Sequence, residues 1–369
     1  MKLNILIVAD PFGKPSYAPR LRYLCDYLVR QGHQIVVYTE QFQSYDFPHA
    51  YPIIEKPIAY HNTWQWAWQS LWSLLTDWRN RRFSQWLKEQ VKEQKFDLVF
   101  CTTFSTFPLR AAYEVAREKH IPLITDIRDL DEQVPGAQYQ HHRQWWARPF
   151  RNWYRTVNIR RRNRVLRAAD AVTTISPWHV AFIRSYNSHT HLIYNGYNPA
   201  QFYAEDTPTD VFRITYIGRI YEFQSTVLVE QAVRELGLPH VELNIHTPDC
   251  HPIPLHAVGD ELRHSSMALV LTNPNAKGMM TTKFFEALGC EKPVLCTPSD
   301  NGLLAQTIRE TNAGLASSDI QEIKAFILDK YHEWQQNGFT RQAVVHKEQF
   351  SRQQQAQQFE QLFIETLKH

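Results

Sequence analysis

The stretch from Gly278 to Leu295, GMMTTKFFEALGCEKPVL, predicts a loop of small residues, then a short helix, then an apolar strand. A hydroxyl at Thr281 or Thr282 suits the start of that helix, because it satisfies a free N–H group of the first turn. Gly289 is the expected residue just beyond the helix end, since glycine readily adopts the left-handed backbone of that position. Three apolar side chains recur at helical spacing and predict a buried face: Phe284, Phe285 and Leu288.

The same helix carries a cation and a carboxylate, Lys283 and Glu286, on neighbouring positions of one edge. Beside a helix N-terminus, this pair is suited to hold a phosphate and a hydroxyl-bearing group of one ligand. When the helix is taken alone, an ordinary exposed ion pair three residues apart is the favoured explanation of the two residues. The rest of the chain has to decide between the two interpretations.

The composition is that of a two-domain globular protein. The 369 residues favour two domains, and a hydrophobic share of 43% is sufficient for two cores. The net charge of +3 indicates no polyanionic partner, and no apolar run is long enough to span a membrane. The opening MKLNILIVAD predicts a buried strand and not a signal peptide. The five cysteines show no metal-binding spacing, which predicts reduced thiols in a cytoplasmic protein without a metal site.

Apolar strands and amphipathic helices alternate along the chain, as in parallel sheets covered on both faces. The predicted strands of the first half are 3–9, 34–39, 97–102, 122–125, 168–174 and 192–194. After a polar segment at 206–210 the alternation starts again, with strands at 212–217, 241–246, 268–272 and 293–296. We therefore predict two doubly wound α/β domains, 1–205 and 206–345, with a cleft between the carboxyl ends of their strands, and a last helix within 346–369.

Charged side chains follow one buried strand of the first half. Asp126, Arg128, Asp129 and Asp131 come at or just beyond its end, which is where open α/β sheets bind ligands. Capping and solvated loop charges are the alternative. The loop after the first strand contains Gly13 but no G-x-G-x-x-G pattern, so a dinucleotide site is poorly supported.

In the second half, two basic residues are expected at the same end of the sheet. Gly218 and Arg219 follow the first strand of that domain, and Lys283 begins the helix described above. Two cations and a helix N-terminus match a diphosphate better than other small anions, because two linked phosphates need several fixed donors. Glu286 would then accept hydrogen bonds from ribose hydroxyls. The predicted ligand is a nucleoside diphosphate with a group attached.

Two further segments are rich in aromatic and basic residues. Residues 61–95 contain six of the eleven tryptophans, and 141–167 contain nine arginines and no acidic residue. Such surfaces suit an anionic membrane face, where indole rings lie at the interface and arginine meets lipid phosphate. The alternatives are an aromatic face packed on the sheet, and a solvated or acceptor-phosphate-binding arginine helix. The basic segment matches no nucleic-acid-binding module, so no nucleic-acid partner is expected.

Six motifs stand in the order and spacing of a known family. They are ILIVADPFG, LITDIRDL, ADAVTTIS, YNGYN, TYIGR and TTKFFEALGCEKPVL. Together they resemble retaining glycosyltransferases of the GT-B fold, family four, of the kind that builds bacterial surface polysaccharides. The resemblance implies Rossmann-like domains facing across a cleft, with the last helix crossing back to the N-terminal domain. It also implies a UDP- or GDP-linked sugar as co-substrate, no separate cofactor or metal, a glycan or lipid-linked acceptor, and a peripheral place at the inner face of the cell membrane.

The resemblance also implies roles for individual residues. Arg219 and Lys283 would stabilise the departing diphosphate, and Glu286 would bind the donor ribose. Asp126, Arg128 and Asp129 resemble a D-x-R-D variant in which either aspartate orients the acceptor or acts as base. The remaining expected contacts to the donor or its border with the acceptor are Gly13, Gly218, Gly278, Thr281 and Thr282.

Two departures from the family pattern keep other functions open. Gly278 occupies the position of the first glutamate of the paired motif, and 220–226 contains no second basic residue. Backbone amides of 278–281 would have to replace the missing carboxylate. A nucleotide-sugar epimerase of the same architecture, or a degenerate member that binds nucleotide or acts as a scaffold, are the alternatives.

Overall fold

The computed structural model describes residues 1–10, 19–41, 48–57, 68, 72–73, 75–104, 106–133, 148–222, 224–274 and 278–368, with no side-chain description for 148–151. The chain forms two compact units, one from residues 1–194 and 356–369, the other from 195–355. All described pairings between neighbouring strands are parallel.

The first unit contains a seven-stranded sheet in the order β3-β2-β1-β4-β5-β6-β7. Its strands are β1 (Asn4–Ala9), β2 (Gln34–Glu40), β3 (Ile53–Lys56), β4 (Leu98–Thr103), β5 (Leu123–Ile127), β6 (Ala171–Thr174) and β7 (Thr190–Leu192). Its first helices are α1 (Pro19–Arg30), α2 (Trp78–Val91), α3 (Leu109–Lys119), α4 (Arg148–Ala168) and α5 (Pro177–Ile183). The strands β4 and β5 are buried at every position, as near-continuous apolar runs predict for the centre of a parallel sheet.

Helices cover both faces of this sheet. One core contains α1 side chains, and the other contains residues of α2, α3 and α4. A helix from the end of the chain, α11 (Arg352–Thr366), completes the first core. Its Phe359 and Phe363 rings lie 5.3 and 5.1 Å from the ring of Phe100 on β4. Burying each ring contributes about 2 to 3 kcal/mol, so this helix is an integral part of the first unit.

The second unit contains a five-stranded sheet in the order β12-β11-β10-β8-β9. Its strands are β8 (Phe212–Ile217), β9 (Val241–His246), β10 (Met267–Val270), β11 (Val294–Cys296) and β12 (Gly314–Ala316). Its helices are α6 (Val227–Leu236), α7 (Val258–Arg263), α8 (Thr282–Gly289), α9 (Leu303–Glu310) and α10 (Ile320–Asn337), with short 3-10 turns at Leu255–Ala257 and Lys347–Phe350. Strand order and helical cover are those of a doubly wound fold, so the predicted α/β class is confirmed.

Gly289 is the last residue of α8 and not the residue beyond its end, which corrects the sequence interpretation. A Cβ atom at this position would lie 2.6 Å from Cδ2 of Tyr197 and 3.0 Å from Cβ of Phe202. Glycine is therefore required by close packing and not by a left-handed backbone. The same packing places residues 195–205 in the second unit, so the units divide between 194 and 195 and not between 205 and 206.

Several strand bounds differ from the sequence prediction by up to three residues. β5 continues through Asp126 to Ile127, β6 begins at Ala171 and not at 168, β7 covers Thr190–Leu192 instead of 192–194, and β10 ends at Val270 and not at 272. The first difference arises because hydroxyls of the two flanking strands satisfy the Asp126 carboxylate, so a charged residue is tolerated inside the sheet. None of the described helices combines the length and apolar character needed to cross a membrane.

Asp77 joins three helices of the first unit and gives a test of the fold. It precedes α2 with a left-handed backbone (φ 58°), and its buried carboxylate accepts hydrogen bonds from Asn80 (2.7 Å) and Arg110 (2.8 Å). Arg161 of α4 lies 3.3 Å from the same carboxylate. We expect Asp77→Ala to lower the free energy of unfolding by about 2 to 4 kcal/mol, measured by chemical denaturation, because Asn80 loses an acceptor and two cations each lose one of their charged partners.

Asp77→Asn is the matched control, since asparagine tolerates the left-handed backbone and keeps one acceptor oxygen. It should lose less stability than the alanine variant. An alanine variant with an unchanged denaturation midpoint would show that Asp77 does not join these helices.

Candidate functional site

The loop before α8 approaches the helix through a backbone that suits glycine. Gly278 has a φ of +74°, in the left-handed region, and its neighbours 275–277 lie outside the described residues. Thr281 occupies the N-cap position with extended backbone, although its hydroxyl makes no capping bond among the described residues. Thr282 is the exposed first residue of α8. The first-turn N–H groups are therefore not capped by either threonine hydroxyl.

Lys283 lies directly against the backbone at the end of β8. A Cβ atom on Gly218, whose φ is +136°, would lie 2.4 Å from Cε and 2.7 Å from Nζ of Lys283. The ammonium is 5.4 Å from the ring centroid of Tyr216, and the Tyr216 hydroxyl donates to the carbonyl of Arg219 at 2.7 Å. Lys283 therefore lies beside Gly218, the residue that precedes Arg219 in the chain. The Arg219 side chain is exposed.

Burial perturbs both charged groups of α8. Desolvation lowers the pKa of Lys283, and Glu286 partly opposes that shift. Desolvation raises the pKa of Glu286, and the charges of Arg352 and Lys283 oppose it, with Arg352 the stronger. The net directions of both shifts follow desolvation, and shifts of this kind are common at binding sites.

Sequence reasoning missed Arg352. It is buried at the first position of α11, where the helix dipole disfavours a cation. An arginine in that position, at the start of an otherwise glutamine-rich helix, is the one signal in the sequence that pointed to a carboxylate partner.

In the first unit, Asp126 is enclosed by donors. Its carboxylate accepts from Arg20 at 3.1 Å, from Thr102 at 2.9 Å and from Thr173 at 2.8 Å, and the residue is only 2% exposed. Arg20 also donates to the carbonyl of Ile193 at 2.8 Å. This carboxylate is saturated and holds α1, β4, β6 and the end of β7 together. We interpret it as a structural anchor beneath the site.

Arg128 is held at the carboxyl edge of the same sheet. It pairs with Asp10 at 3.1 Å, and its guanidinium lies 3.6 Å from the ring centroid of Phe104. Asp10 also accepts from the Thr103 hydroxyl (3.0 Å) and the Phe104 amide (2.6 Å). The residues that follow β1, β4 and β5 therefore form one charged cluster. Gly13, which the sequence places in the loop after β1, lies outside the described residues.

Asp129 differs from Asp126 in environment. It is half-buried, and within the described residues it has no hydrogen-bond donor. Burial raises its pKa to about 6; the charge of Arg128 opposes the shift, and those of Asp10 and Asp131 add to it. Of the two aspartates proposed from sequence, Asp129 is the one whose carboxylate is available to take a proton near neutral pH. In the described part of the chain, no three His, Cys, Asp or Glu side chains converge as metal ligands.

Comparison with known proteins gives a match over part of the chain. Residues 19–201, just under half of the chain, match the model of Glycosyltransferase Family 4. The fold of the chain is that of GT-B glycosyltransferases. The matched segment runs from α1 to beyond β7, so it includes Asp126, Arg128 and Asp129. Arg219, Lys283 and Glu286 lie beyond it, and their assignment rests on the geometry above.

Solved structures of other GT-B glycosyltransferases share the fold over nearly the whole chain. Anabaena Alr3699/HepE, in complex with UDP-glucose, is similar with a TM-score of 0.65 and 13% identity, covering 98% of this chain and 100% of that chain. The catalytic domain of starch synthase IV from Arabidopsis thaliana, bound to ADP and acarbose, has a TM-score of 0.60 and 11% identity, with 100% of each chain covered. WaaG, a glycosyltransferase involved in lipopolysaccharide biosynthesis, has a TM-score of 0.55 and 12% identity, covering 91% and 94%. No curated protein matches the sequence significantly.

The environment of Asp129 predicts that its replacement stabilises the protein. A pKa raised from 3.8 to about 6 means that the ionised form is disfavoured in the fold, so the loss of stability is absent below about pH 4, grows as the pH rises, and is complete above about pH 6. We expect Asp129→Asn to raise the free energy of unfolding at pH 7.5 by about 1 to 3 kcal/mol, with little change at pH 4. Chemical denaturation at the two pH values measures the difference.

Asp210→Asn, at an exposed position, is the control and should change stability equally little at both pH values. Equal stability of wild type and Asp129→Asn at pH 7.5 would mean that Asp129 ionises without cost and is not the perturbed carboxylate of the site.

Proposed function

We propose that the protein transfers a sugar from a UDP- or GDP-linked donor to a glycan or lipid-linked acceptor in bacterial surface glycan synthesis, with retained configuration and without a metal ion. The observation that carries the proposal is the position of Lys283 at the start of α8, against the bare backbone of Gly218 and next to Arg219. A phosphate that replaces the missing counter-charge there would meet an ammonium, a guanidinium and free helix N–H groups.

In the proposed reaction, the bond between the anomeric carbon and the diphosphate oxygen breaks, and a bond to the acceptor hydroxyl oxygen forms on the same face. Negative charge develops on the departing diphosphate, and Lys283, Arg219 and the first-turn amides stabilise it. The departing phosphate takes the acceptor proton, and Asp129 orients the acceptor hydroxyl. Since Asp126 is saturated by three donors, we assign it no direct part in this step.

The complexes of HepE with UDP-glucose, and with UDP and glucose, favour a uridine donor over a guanosine donor for this chain. An epimerase of the same fold is the second candidate. Incubation with the nucleotide sugar alone separates the two, because an epimerase interconverts the donor without an acceptor and a transferase does not.

The role of Lys283 is testable with two variants. We expect Lys283→Ala to lower turnover by about two orders of magnitude or more, because the leaving group loses its main fixed cation. Gly218→Ala keeps the ammonium but displaces it, since the new methyl group would occupy the space of the Lys283 Cε atom. It should lose turnover as well, by a smaller factor. Transfer rates with radiolabelled nucleotide sugars, and melting temperatures with UDP and GDP, measure both effects.

Lys2→Ala, a change at an exposed lysine, is the matched control. Near-normal transfer by Lys283→Ala would contradict the assignment, and a wild type that no nucleoside diphosphate stabilises would contradict the proposed function as a whole.

The acceptor side of the proposal is supported by an exposed aromatic face. Trp68, Trp72 and Leu75 follow one another at helical spacing, and their side chains are 67%, 45% and 53% exposed. In contrast, Trp86 of the same segment packs in the core, 5.9 Å from the Tyr38 ring. The aromatic residues of 61–95 therefore divide between the two interpretations made from sequence, and Trp64 and Trp66 lie outside the described residues.

The arginines of α4 likewise include residues that bond within the first unit and residues that are exposed. Three of them serve the fold: Arg155 donates to the carbonyl of Asp131, Arg161 pairs with Asp77, and Arg162 pairs with Glu132. Three other arginines and one tryptophan of α4 are exposed on one side of the helix. They follow one another at spacings of seven, four and three residues: Trp153, Arg160, Arg164 and Arg167. Trp145 and Trp146 lie outside the described residues.

A hydrogen bond brings the two exposed sets together. Arg161 donates to the carbonyl of Ser73 at 3.2 Å, so the segment that carries Trp72 and Leu75 lies beside α4. We name the combined surface of Trp68, Trp72, Leu75, Trp153, Arg160 and Arg164 the aromatic–arginine face. Indole rings and exposed guanidinium groups on one surface fit an anionic lipid bilayer, and we propose that this face holds the enzyme at the cytoplasmic side of the membrane where a lipid-linked acceptor lies.

Vesicle co-sedimentation tests the aromatic–arginine face. Arg160→Ser with Arg164→Ser should weaken binding to vesicles of mixed anionic and zwitterionic lipid about 30-fold, since each basic residue near the surface contributes about 1 kcal/mol. The matched control is Arg234→Ser with Arg309→Ser, two exposed arginines of the second unit, which should change nothing. Wild-type protein that stays in the supernatant at low salt would remove the membrane from the proposal.

A further inference from the structure

The segment that carries Asp129 is fixed in place by side chains of other elements. Residues 128–133, which we call the Asp129 segment, follow β5 and include no residue of a helix or strand. The segment is attached to the sheet at its first residue, since Arg128 pairs with Asp10 at 3.1 Å and its amide donates to the carbonyl of Thr103 at 3.1 Å. A segment without a helix or strand of its own keeps a defined place only where other elements hold it.

Two arginines of α4 hold the middle of the Asp129 segment. Arg155 donates to the carbonyl of Asp131 at 2.6 Å. Arg162 forms a two-pronged ion pair with Glu132, in which Nη1 lies 2.8 Å from Oε2 and Nη2 lies 2.6 Å from Oε1. Arg162 is only 1% exposed, and its Nε atom donates to the side-chain oxygen of Asn163. Such a pair fixes direction as well as distance, because the planar guanidinium matches both carboxylate oxygens.

The end of the Asp129 segment is bonded to α5. The buried ring of His179 has its Nε2 atom 2.9 Å from Oε1 of Gln133 and its Nδ1 atom 3.0 Å from the hydroxyl of Thr174, the last residue of β6. Burial lowers the pKa of His179 to about 4, so the ring is uncharged near neutral pH. Asp129 therefore lies between points that are fixed on both sides of it.

The Asp129 carboxylate accepts none of these bonds. It is half-buried and has no hydrogen-bond donor within the described residues. The charged groups that act on it are Arg128 and Asp131 of its own segment and Asp10 at the end of β1. An ionised carboxylate in this place would turn toward water if its segment were free to move, because burial deprives it of hydration. The fixed points of the segment oppose that movement.

We propose that Arg162 and His179 are positioning residues of the acceptor site, which keep the Asp129 carboxylate in its half-buried place. They act on it only through the last two residues of the Asp129 segment, Glu132 and Gln133. The inference rests on the proposed function in one respect, because that function takes Asp129 as the residue that orients the acceptor hydroxyl. It gives the buried arginine of α4 a part in the reaction that differs from that of the exposed arginines.

A double-mutant cycle at two pH values tests the positioning. Arg162→Met with Glu132→Gln removes both members of the ion pair and keeps the net charge, a replacement that buried ion pairs often tolerate. Asp129→Asn should stabilise the wild type at pH 7.5 and not at pH 4, and it should lose most of that gain in the altered chain, because the released carboxylate reaches water. The gain compares chains that share His179, so the protonation of His179 cancels. Chemical denaturation measures it.

Gln133→Ala is a second, independent variant. It removes the partner of His179 without changing a charge, and it should also reduce the gain from Asp129→Asn. Glu360→Gln is the matched control, since Glu360 pairs with His33 at 2.9 Å in the same unit. His33 precedes β2 and so lies at the opposite end of the sheet from the Asp129 segment. The control should keep the full gain.

The transfer assay separates positioning from donor binding. Arg162→Met with Glu132→Gln should lower turnover by about tenfold or more, since a small displacement of an orienting group is costly. UDP should raise the melting temperature of this variant as much as that of the wild type, because Lys283 and Arg219 lie in the second unit.

The outcomes are distinct. A full gain from Asp129→Asn in both altered chains would mean that Arg162 and His179 contribute to stability alone, and the inference would be wrong. The same conclusion would follow if Asp129→Asn brought no gain in the wild type, or if the ion-pair variant kept normal turnover. Wild-type protein that no nucleoside diphosphate stabilises would instead overturn the proposed function, while the double-mutant cycle, which needs no ligand, would still decide whether Asp129 is held in place.

Discussion

The proposed donor site depends on one steric constraint, which is the passage of the Lys283 side chain across the α-carbon of Gly218, a residue without a Cβ atom. With a φ of +136° and no Cβ, this residue turns the chain out of β8 and leaves room for the lysine in the same place. The ring of Tyr216 lies beneath the ammonium, and its hydroxyl fixes the backbone of Arg219. The position of the Lys283 ammonium at the start of α8 is thus set by the neighbouring strand β8 as well as by the helix.

Residues of the same type in one short segment of the sequence have different partners and different burial in the folded structure. Asp126 and Asp129 are three positions apart, yet one is saturated by Arg20, Thr102 and Thr173 and the other has a pKa raised to about 6 by burial. The arginines of α4 divide likewise into those that bond within the unit and those that face outward. One-dimensional spacing places such residues on the correct element, but the partners come from strands and helices far away in the sequence.

The elements that sequence reasoning located well are those whose signal is local. Long apolar runs gave β1, β4 and β8 within a residue or two. The short edge strand β3, whose residues are all half-buried, carries little signal and was not predicted. The end of β5 was placed too early because a charged residue normally ends a buried strand, and the threonines that satisfy Asp126 come from its neighbours. Arg352 was missed for the same reason, since its relation to Glu286 exists only in the folded unit.

The backbone conformation of Gly278 gives a reason for glycine at this position that the sequence alone does not show. By resemblance it stands where a glutamate would contact the donor sugar, so its presence looks like a loss. The left-handed backbone at φ +74° is one that glycine adopts freely and that a glutamate would enter only with strain. Thr281, at the N-cap of α8, makes no capping bond with its hydroxyl among the described residues, so first-turn N–H groups of this helix are available to a ligand. In the proposed donor site these N–H groups would be donors where the resemblance expects a carboxylate acceptor. An exchange of acceptor for donors would alter which sugar hydroxyls the site prefers, because a carboxylate accepts hydrogen bonds from hydroxyls and an N–H group donates to them.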